Sequence, residues 1–177
     1  MKKSYFVLIT IFIILVIFGL SVLLSKGQSK SVSLMKESLD VSPTAQGDKV
    51  VDHKASFAIF THGTFRIFTA AMYHNLSEDV FIQADNPNIV HVKKAGTTWD
   101  DFFKTLPFKL TKSCLTTGTG ETFCNGQNGT LRFYLNGVKT DNLLDTEIQN
   151  GDKTLISFGN ENEDIVQKQL QQIPVIK

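Results

Sequence analysis

The residues best able to do chemistry are four histidines and two cysteines. The histidines are His53, His62, His74 and His91. We predict that His53 stands just before the first strand of a folded domain and that His91 lies on a later strand. If these strands place the two side by side, with Asp52 or Asp85 nearby, the imidazoles could bind copper or zinc, since both metals accept this ligand. No two histidines are spaced at i, i+2 or i, i+4, so surface or hydrogen-bonded histidines are the alternative.

The two cysteines, Cys114 and Cys124, lie in a stretch rich in glycine and threonine, for which we predict loops and short hairpins. An even number of cysteines in an exported domain favours a disulfide. Closing this short loop would contribute about 2–3 kcal/mol. The alternatives are a nucleophilic thiol, as in a redox enzyme, and a metal ligand, although neither cysteine has a second one at metal-finger spacing.

Motifs of the common enzyme classes are absent from the sequence. There is no Gly-x-Ser-x-Gly elbow, no phosphate-binding glycine loop and no His-Glu-x-x-His. Asp100 and Asp101 could act as general acid and base, but they fall in the first turn of a predicted helix, where the helix dipole favours negative charge. We therefore predict that the chain is not an enzyme and has no cofactor, with copper or zinc as the alternative.

The N-terminal segment predicts a membrane anchor. Residues 5–24 carry no charge and follow Lys2 and Lys3, and about 20 apolar residues are enough to cross a bilayer. A cleaved signal peptide usually has a shorter apolar core of about 7–15 residues, so we expect an uncleaved, single-pass anchor. Lys26 and Lys30 nearly balance the charges before the span, and the cysteine pair favours a C-terminal domain outside the cytoplasm.

Composition limits the partners that the chain could bind. The net charge is +1 over 177 residues, with 42% apolar residues, which predicts one domain with a hydrophobic core and no nucleic-acid binding. The expected partners are the lipid bilayer, through residues 5–24, and a membrane or surface protein. We predict a cytoplasmic N-terminus over residues 1–4, a flexible polar tether over residues 25–50 and an extracytoplasmic domain over residues 51–177.

The domain is organised around one short aromatic helix. Trp99, Phe102, Phe103 and Leu106 recur at i, i+3, i+4 and i+7, which predicts one buried stripe. Thr97 or Thr98 can cap the helix, and Pro107 ends it. β-type segments with turns at residues 61–63 and 136–137 surround it, and Asn160 or Asn162 can cap a short C-terminal helix. This pattern predicts an α+β class, with a single mixed sheet packed on one central helix.

The order of these elements resembles the β-grasp fold of ubiquitin and the small sulfur-carrier proteins. The resemblance covers about residues 96–158 and is carried by Gly96-Thr97-Thr98, by Leu135-Asn136-Gly137-Val138 and by residues 150–156. Sulfur carriers end in a free Gly-Gly that becomes a thiocarboxylate, whereas this chain continues to Lys177. The resemblance therefore implies a β-grasp-like fold without that chemistry.

A closer resemblance is to a group of small membrane-anchored proteins of archaea and uncultured prokaryotes that have no known function. It spans His53 to Pro174 and includes Phe123-Cys124-Asn125-Gly126. Members often carry histidine pairs where this chain has His53-Lys54-Ala55 and His91-Val92-Lys93. The resemblance implies the anchor, the disulfide and the fold, and it supplies no activity. We expect a membrane-anchored extracytoplasmic binding module of unknown ligand; the alternative is an extracytoplasmic copper- or zinc-binding protein using His53 and His91.

Overall fold

The structure is a computed structural model that describes residues 49–126 and 128–176. The predicted anchor, residues 5–24, lies outside the described residues, as do residues 25–48 of the predicted tether. Within the described ranges, no helix is both long enough and apolar enough to cross a bilayer.

The described part of the chain contains ten strands and two α-helices. The strands are β1 (Val50–Thr61), β2 (Thr64–Phe65), β3 (Val80–Gln83), β4 (Asn86–Lys94), β5 (Lys109–Leu110), β6 (Cys114–Thr116), β7 (Thr122–Cys124), β8 (Thr130–Leu135), β9 (Val138–Lys139) and β10 (Lys153–Gly159). The helices are α1 (Trp99–Thr105) and α2 (Glu163–Leu170), and single 3-10 turns cover Ala71–Tyr73 and Leu143–Asp145. The α+β class and the short C-terminal helix predicted from the sequence are confirmed.

Seven strands form one mixed sheet, in the order β3-β4-β1-β10-β8-β9, with β2 paired to the end of β1. The two central strands, β1 and β10, are parallel, with Ser56 opposite Lys153 and Thr61 opposite Phe158. The other neighbouring pairs are antiparallel. Because both faces of the central strands are covered, residues 55–61 of β1 are all buried, and five of these seven residues are apolar.

Helix α1 buries its predicted aromatic stripe against one face of the sheet. Its start is fixed by a capping box, in which the Thr98 hydroxyl accepts the Asp101 N–H and the Asp101 carboxylate accepts the Thr98 N–H. All three aromatic residues of the helix are buried. The rings of Phe102 and Phe103 lie 5.3 and 5.8 Å from the ring of Phe57 in β1.

Helix α2 covers the opposite face of the sheet. Asn162 is its N-cap, since the side-chain oxygen accepts the Ile165 N–H at 3.0 Å. Val166 is fully buried and packs in one cluster with Ala58 and Phe60 of β1. The alternation of side chains along β1 therefore supplies two cores, one under each helix.

A second sheet, formed by β5, β6 and β7, corrects the predicted single sheet. Its strands have only two or three residues, too few to give a periodic signal in the sequence. They pair because Leu115 and Phe123, which lie opposite each other on β6 and β7, are buried in the core under α1. Tertiary burial, rather than local preference, fixes this small sheet.

Candidate functional site

The two histidines predicted as metal ligands lie on neighbouring strands but on opposite faces of the sheet. Strand β1 pairs with β4 so that His53 is opposite Val92 and Lys54 is opposite His91. Successive residues of a strand point to opposite faces, so this offset of one residue separates the two imidazoles. On the α1 side, His53 Nδ1 lies 3.4 Å from the carbonyl oxygen of Ile148.

His91 packs flat against an aromatic ring. Its imidazole is stacked on Phe81, with ring centroids 5.2 Å apart and planes at 7°. Burial, and then the positive charges of Lys54 and Lys93, lower the pKa of His91, so the ring is neutral at physiological pH. No group of three or more histidine, cysteine, aspartate or glutamate residues that could hold a metal occurs within residues 49–126 and 128–176. Binding of copper or zinc through His53 and His91 stays a prediction. In the described residues, the fold does not bring these two side chains together on one face of the sheet.

The other two histidines make local contacts. His74 Nε2 lies 2.9 Å from the carbonyl oxygen of Phe68. His62 occupies the turn after β1 with a φ of 48°, and its ring lies 5.1 Å from the ring of Phe158. These contacts match the hydrogen-bonded or surface alternative for these two residues.

Cys114 and Cys124 form the predicted disulfide. The bond joins two residues that lie directly opposite each other on β6 and β7. A nucleophilic thiol or a metal ligand requires a thiolate, and both cysteines of this chain are held in the bond. The disulfide therefore links the two strands of the hairpin formed by β6 and β7.

An apolar cleft lies between the segment that follows β1 and the disulfide-bonded hairpin. It has a volume of about 250 Å³. Ile59 and residues 64–68 line it from one side, and Phe108, Leu115 and residues 117–119 line it from the other, together with Tyr73. The ring of Phe68, which is 5% exposed, lies 5.2 Å from Tyr73 and 6.0 Å from Phe108. We call this opening the aromatic cleft, because these three rings form a continuous apolar surface.

The rim of the aromatic cleft is also apolar. Ile67 lines the cleft and is 67% exposed, and Met72, beside Tyr73, is 53% exposed. The terminal methyl of Met72 lies 3.9 Å from the position that a Cβ at Gly118 would take, so the methionine reaches the tip of the hairpin. Single exposed apolar residues are common on protein surfaces, but these two extend the apolar lining of one concave site.

The tip of the hairpin fits closely against the backbone beyond α1. A Cβ added at Gly118 would lie 2.8 Å from the carbonyl oxygen of Pro107 and 3.7 Å from the Tyr73 hydroxyl. Only glycine allows this approach without a shift of the loop. The cleft therefore has a defined wall, held by glycine at its tip and by the disulfide at its base.

Arg66 is the charged side chain among the described residues that line the aromatic cleft. Its Nε donates a hydrogen bond to the Thr61 hydroxyl at 2.6 Å, and its Nη2 donates to Glu121 Oε2 at 3.3 Å. The guanidinium carbon also lies 5.1 Å from the centre of the Phe123 ring, within the range of a cation–π contact. The cleft thus combines an apolar surface with one oriented positive charge.

The paired aspartates of α1 have structural partners. Hydrogen bonds from the Thr98 backbone and hydroxyl lower the pKa of Asp101, as expected for a helix cap. Asp100 forms an ion pair with Lys104 one turn along the helix. These contacts account for both carboxylates without a role in proton transfer.

Sequence reasoning missed the aromatic cleft. Its walls come from segments that are far apart in the chain, and the core around α1 accounts equally well for most of the phenylalanines. The usable signal was Arg66, which is one of only two arginines in the chain and directly follows β2. An arginine at this position could have been singled out, but its partners could not.

Comparison of the chain with models of protein families, with curated proteins and with solved structures found no match.

Proposed function

We propose that this chain is a membrane-anchored, extracytoplasmic binding module with a β-grasp-like fold and no catalytic activity, and that its ligand enters the aromatic cleft. The cleft is the observation that carries the proposal. Ligand sites are concave, mostly apolar and equipped with a few oriented polar groups. The aromatic cleft has this character, with the rings of Phe68, Tyr73 and Phe108 as its surface and Arg66 as its polar group.

The strand order supports the β-grasp-like fold. The first and last long strands, β1 and β10, lie parallel at the centre of the sheet, and each has an antiparallel partner on its outer side, β4 and β8. In the sequence, α1 lies between these two outer strands, and it packs on the face that all four share. We also propose that this chain is related to the group of small membrane-anchored proteins of archaea and uncultured prokaryotes that its sequence resembles.

The proposed location depends on the uncharged run of residues 5–24 and on the disulfide, which is typical of oxidising compartments. Strand β1 begins at Val50, whereas the cleft lies at the other end of β1, beside Ile59 and residues 64–68. A strand of 12 residues measures about 35 Å at the usual rise per residue. The cleft therefore lies at the end of β1 opposite to the one that the preceding chain joins.

A matched pair of variants tests the cleft as the binding site. Ile67 on the rim and Val138 in β9 are both exposed apolar residues, at 67% and 69%, and Val138 does not line the cleft. A library of small apolar and aromatic fragments would be screened by ligand-observed NMR against the full-length protein in detergent. We expect fragments that bind the native chain to lose about fivefold in affinity in Ile67→Ser, since part of the apolar contact is removed.

The control variant, Val138→Ser, is expected to bind these fragments as the native chain does. Equal binding by Ile67→Ser and Val138→Ser would move the site away from the aromatic cleft. A screen in which no fragment binds the native chain would refute the proposed function.

A further inference from the structure

We propose that the ligand of the aromatic cleft is a monocarboxylate with a compact apolar body, and that its carboxylate replaces Glu121 on Arg66. The inference rests on the proposed function, because it names the chemical class of ligand for the same cleft. The observation that supports it is the difference between the two arginine ion pairs, Arg66 with Glu121 and Arg132 with Glu161.

The two arginines hold their carboxylates in very different ways. Arg132 donates to both the backbone oxygen and the carboxylate of Glu161, at 2.9 and 3.0 Å, and both side chains of this pair are largely buried, at 14% and 11% exposure. Arg66 contacts Glu121 through one nitrogen at 3.3 Å, and the Glu121 side chain is 57% exposed. Exposed pairs of this second kind contribute little to stability. Glu121 can therefore leave Arg66 for solvent at low cost.

The guanidinium of Arg66 keeps its orientation when Glu121 leaves. The hydrogen bond from Nε to Thr61 and the contact with the Phe123 ring do not involve Glu121. Within the described residues, no acceptor takes a hydrogen bond from Nη1 of Arg66. Once Glu121 has left, Nη1 and Nη2 of Arg66 can both donate hydrogen bonds to a ligand anion, and the planar fork of arginine matches the two oxygens of a carboxylate.

The lining of the cleft favours a singly charged, mostly apolar ligand. Arg66 supplies one positive charge, and the other described lining residues are apolar, aromatic or neutral polar. A carboxylate would neutralise this charge, whereas a phosphate dianion would leave excess negative charge beside apolar walls. A volume of about 250 Å³ lies just below the usual range for ligand sites, about 300–1,000 Å³, which favours a compact body such as a phenyl or branched aliphatic group.

Calorimetry with matched acids and amides tests the inference on the full-length, disulfide-bonded protein in detergent. The probes are 3-phenylpropionate and 4-methylpentanoate, each beside its neutral primary amide. We expect each acid to bind the native chain at least about fivefold more tightly than its amide, because a charge-assisted hydrogen bond forms only with the acid. In Arg66→Gln, acid and amide are expected to bind equally.

Glu121→Gln provides an independent test, in case Arg66→Gln folds poorly. Removing the competing carboxylate is expected to tighten acid binding about two- to fivefold and to leave amide binding unchanged. Asp145→Asn is the matched control, because Asp145 is also an exposed acid paired with a cation, Lys112, and it lies outside the cleft lining. This control should leave the binding of both probes unchanged.

The outcomes separate the two proposals. Equal binding of acids and amides by the native chain would overturn the carboxylate inference and leave the cleft as a binding site. Tighter acid binding in Asp145→Asn as well as in Glu121→Gln would also overturn it, since the effect would then be a general one of net charge. Absence of binding by all four probes would overturn the inference, and the fragment screen with Ile67→Ser would then decide separately whether the cleft binds anything.

Discussion

Removal of the disulfide is expected to weaken the domain without unfolding it. The bond closes a loop with a sequence separation of 10 residues, and the loss of loop-closure entropy in the unfolded chain corresponds to about 2.7 kcal/mol. The double variant Cys114→Ala/Cys124→Ala should therefore have a free energy of unfolding lower by about this amount. Chemical reduction of the native chain should have a similar effect.

The hairpin is expected to remain docked when the bond is absent. Leu115 and Phe123, the next pair along β6 and β7, are only 2% and 6% exposed. Burial of a large apolar side chain contributes about 1.5–3 kcal/mol, so the two together offer about as much as the disulfide or more. The wall of the aromatic cleft should thus survive in the double variant, although it would open more often.

Urea unfolding of the full-length protein, followed by tryptophan fluorescence, measures this effect. Trp99 is the only tryptophan in the chain and is fully buried under the sheet, so its emission reports on the whole domain. The native chain would be compared with and without reductant, and the double variant under the same two conditions controls for the reductant itself. Identical stability of the oxidised and reduced native chain would contradict the loop-closure argument. Exposure of Trp99 in the double variant without urea would contradict the independent docking of the hairpin.

Three further predictions concern stability and pH. The indole N–H of Trp99 has no hydrogen-bond partner among the described residues. Trp99→Phe should therefore lower the free energy of unfolding by only about 1–2 kcal/mol, because the lost volume is partly offset by removal of an unpaired polar group. Trp99→Ala should lower it by about 3–5 kcal/mol, and circular dichroism melts of both variants measure the difference. Gly129→Ala should lower the free energy of unfolding by about 3 kcal/mol or more, because the φ of Gly129 is +147° and the new Cβ would lie 2.8 Å from the Cα of Gly159. The control, Gly137→Ala, should lower it by about 1–2 kcal/mol, since Gly137 has a φ of +82° and no atom lies within 4 Å of the new Cβ. Equal losses for the two variants in urea unfolding would contradict the close contact. Burial lowers the pKa of His91 in the folded state. The stability that neutral His91 contributes is therefore present above its unfolded pKa of about 6.5 and is lost as the pH falls below it. The free energy of unfolding of His91→Phe should thus decrease less than that of the native chain between pH 7 and pH 5.

Local signals in the sequence were sufficient for the helices and the tight turns. A capping threonine at residue 97 or 98, the apolar stripe and Pro107 predict a short helix between them, and the structure has α1 at Trp99–Thr105 with Thr98 as its cap. The turn Asn136-Gly137 has the positive φ values, 52° and 82°, that this dipeptide favours. The cysteine pair likewise indicated its own disulfide, since the chain offers no other partner.

The candidate site could not be read in the same way. Whether His53 and His91 share a face depends on the register of β1 and β4, and a shift of one residue changes the answer. The aromatic cleft depends on the distance between the hairpin tip at Gly118 and the segment that carries Arg66, which is set by how Leu115 and Phe123 pack into the common core.

The sequence by itself thus determined the two helices and the tight turns of this domain, because caps, turn residues and the spacing of apolar side chains act between neighbours in the chain. Only the tertiary structure decided the strand register, the second sheet and the cleft, because these depend on contacts between segments that are distant in sequence. Many residues compete for such contacts, and burial in one shared core selects among them.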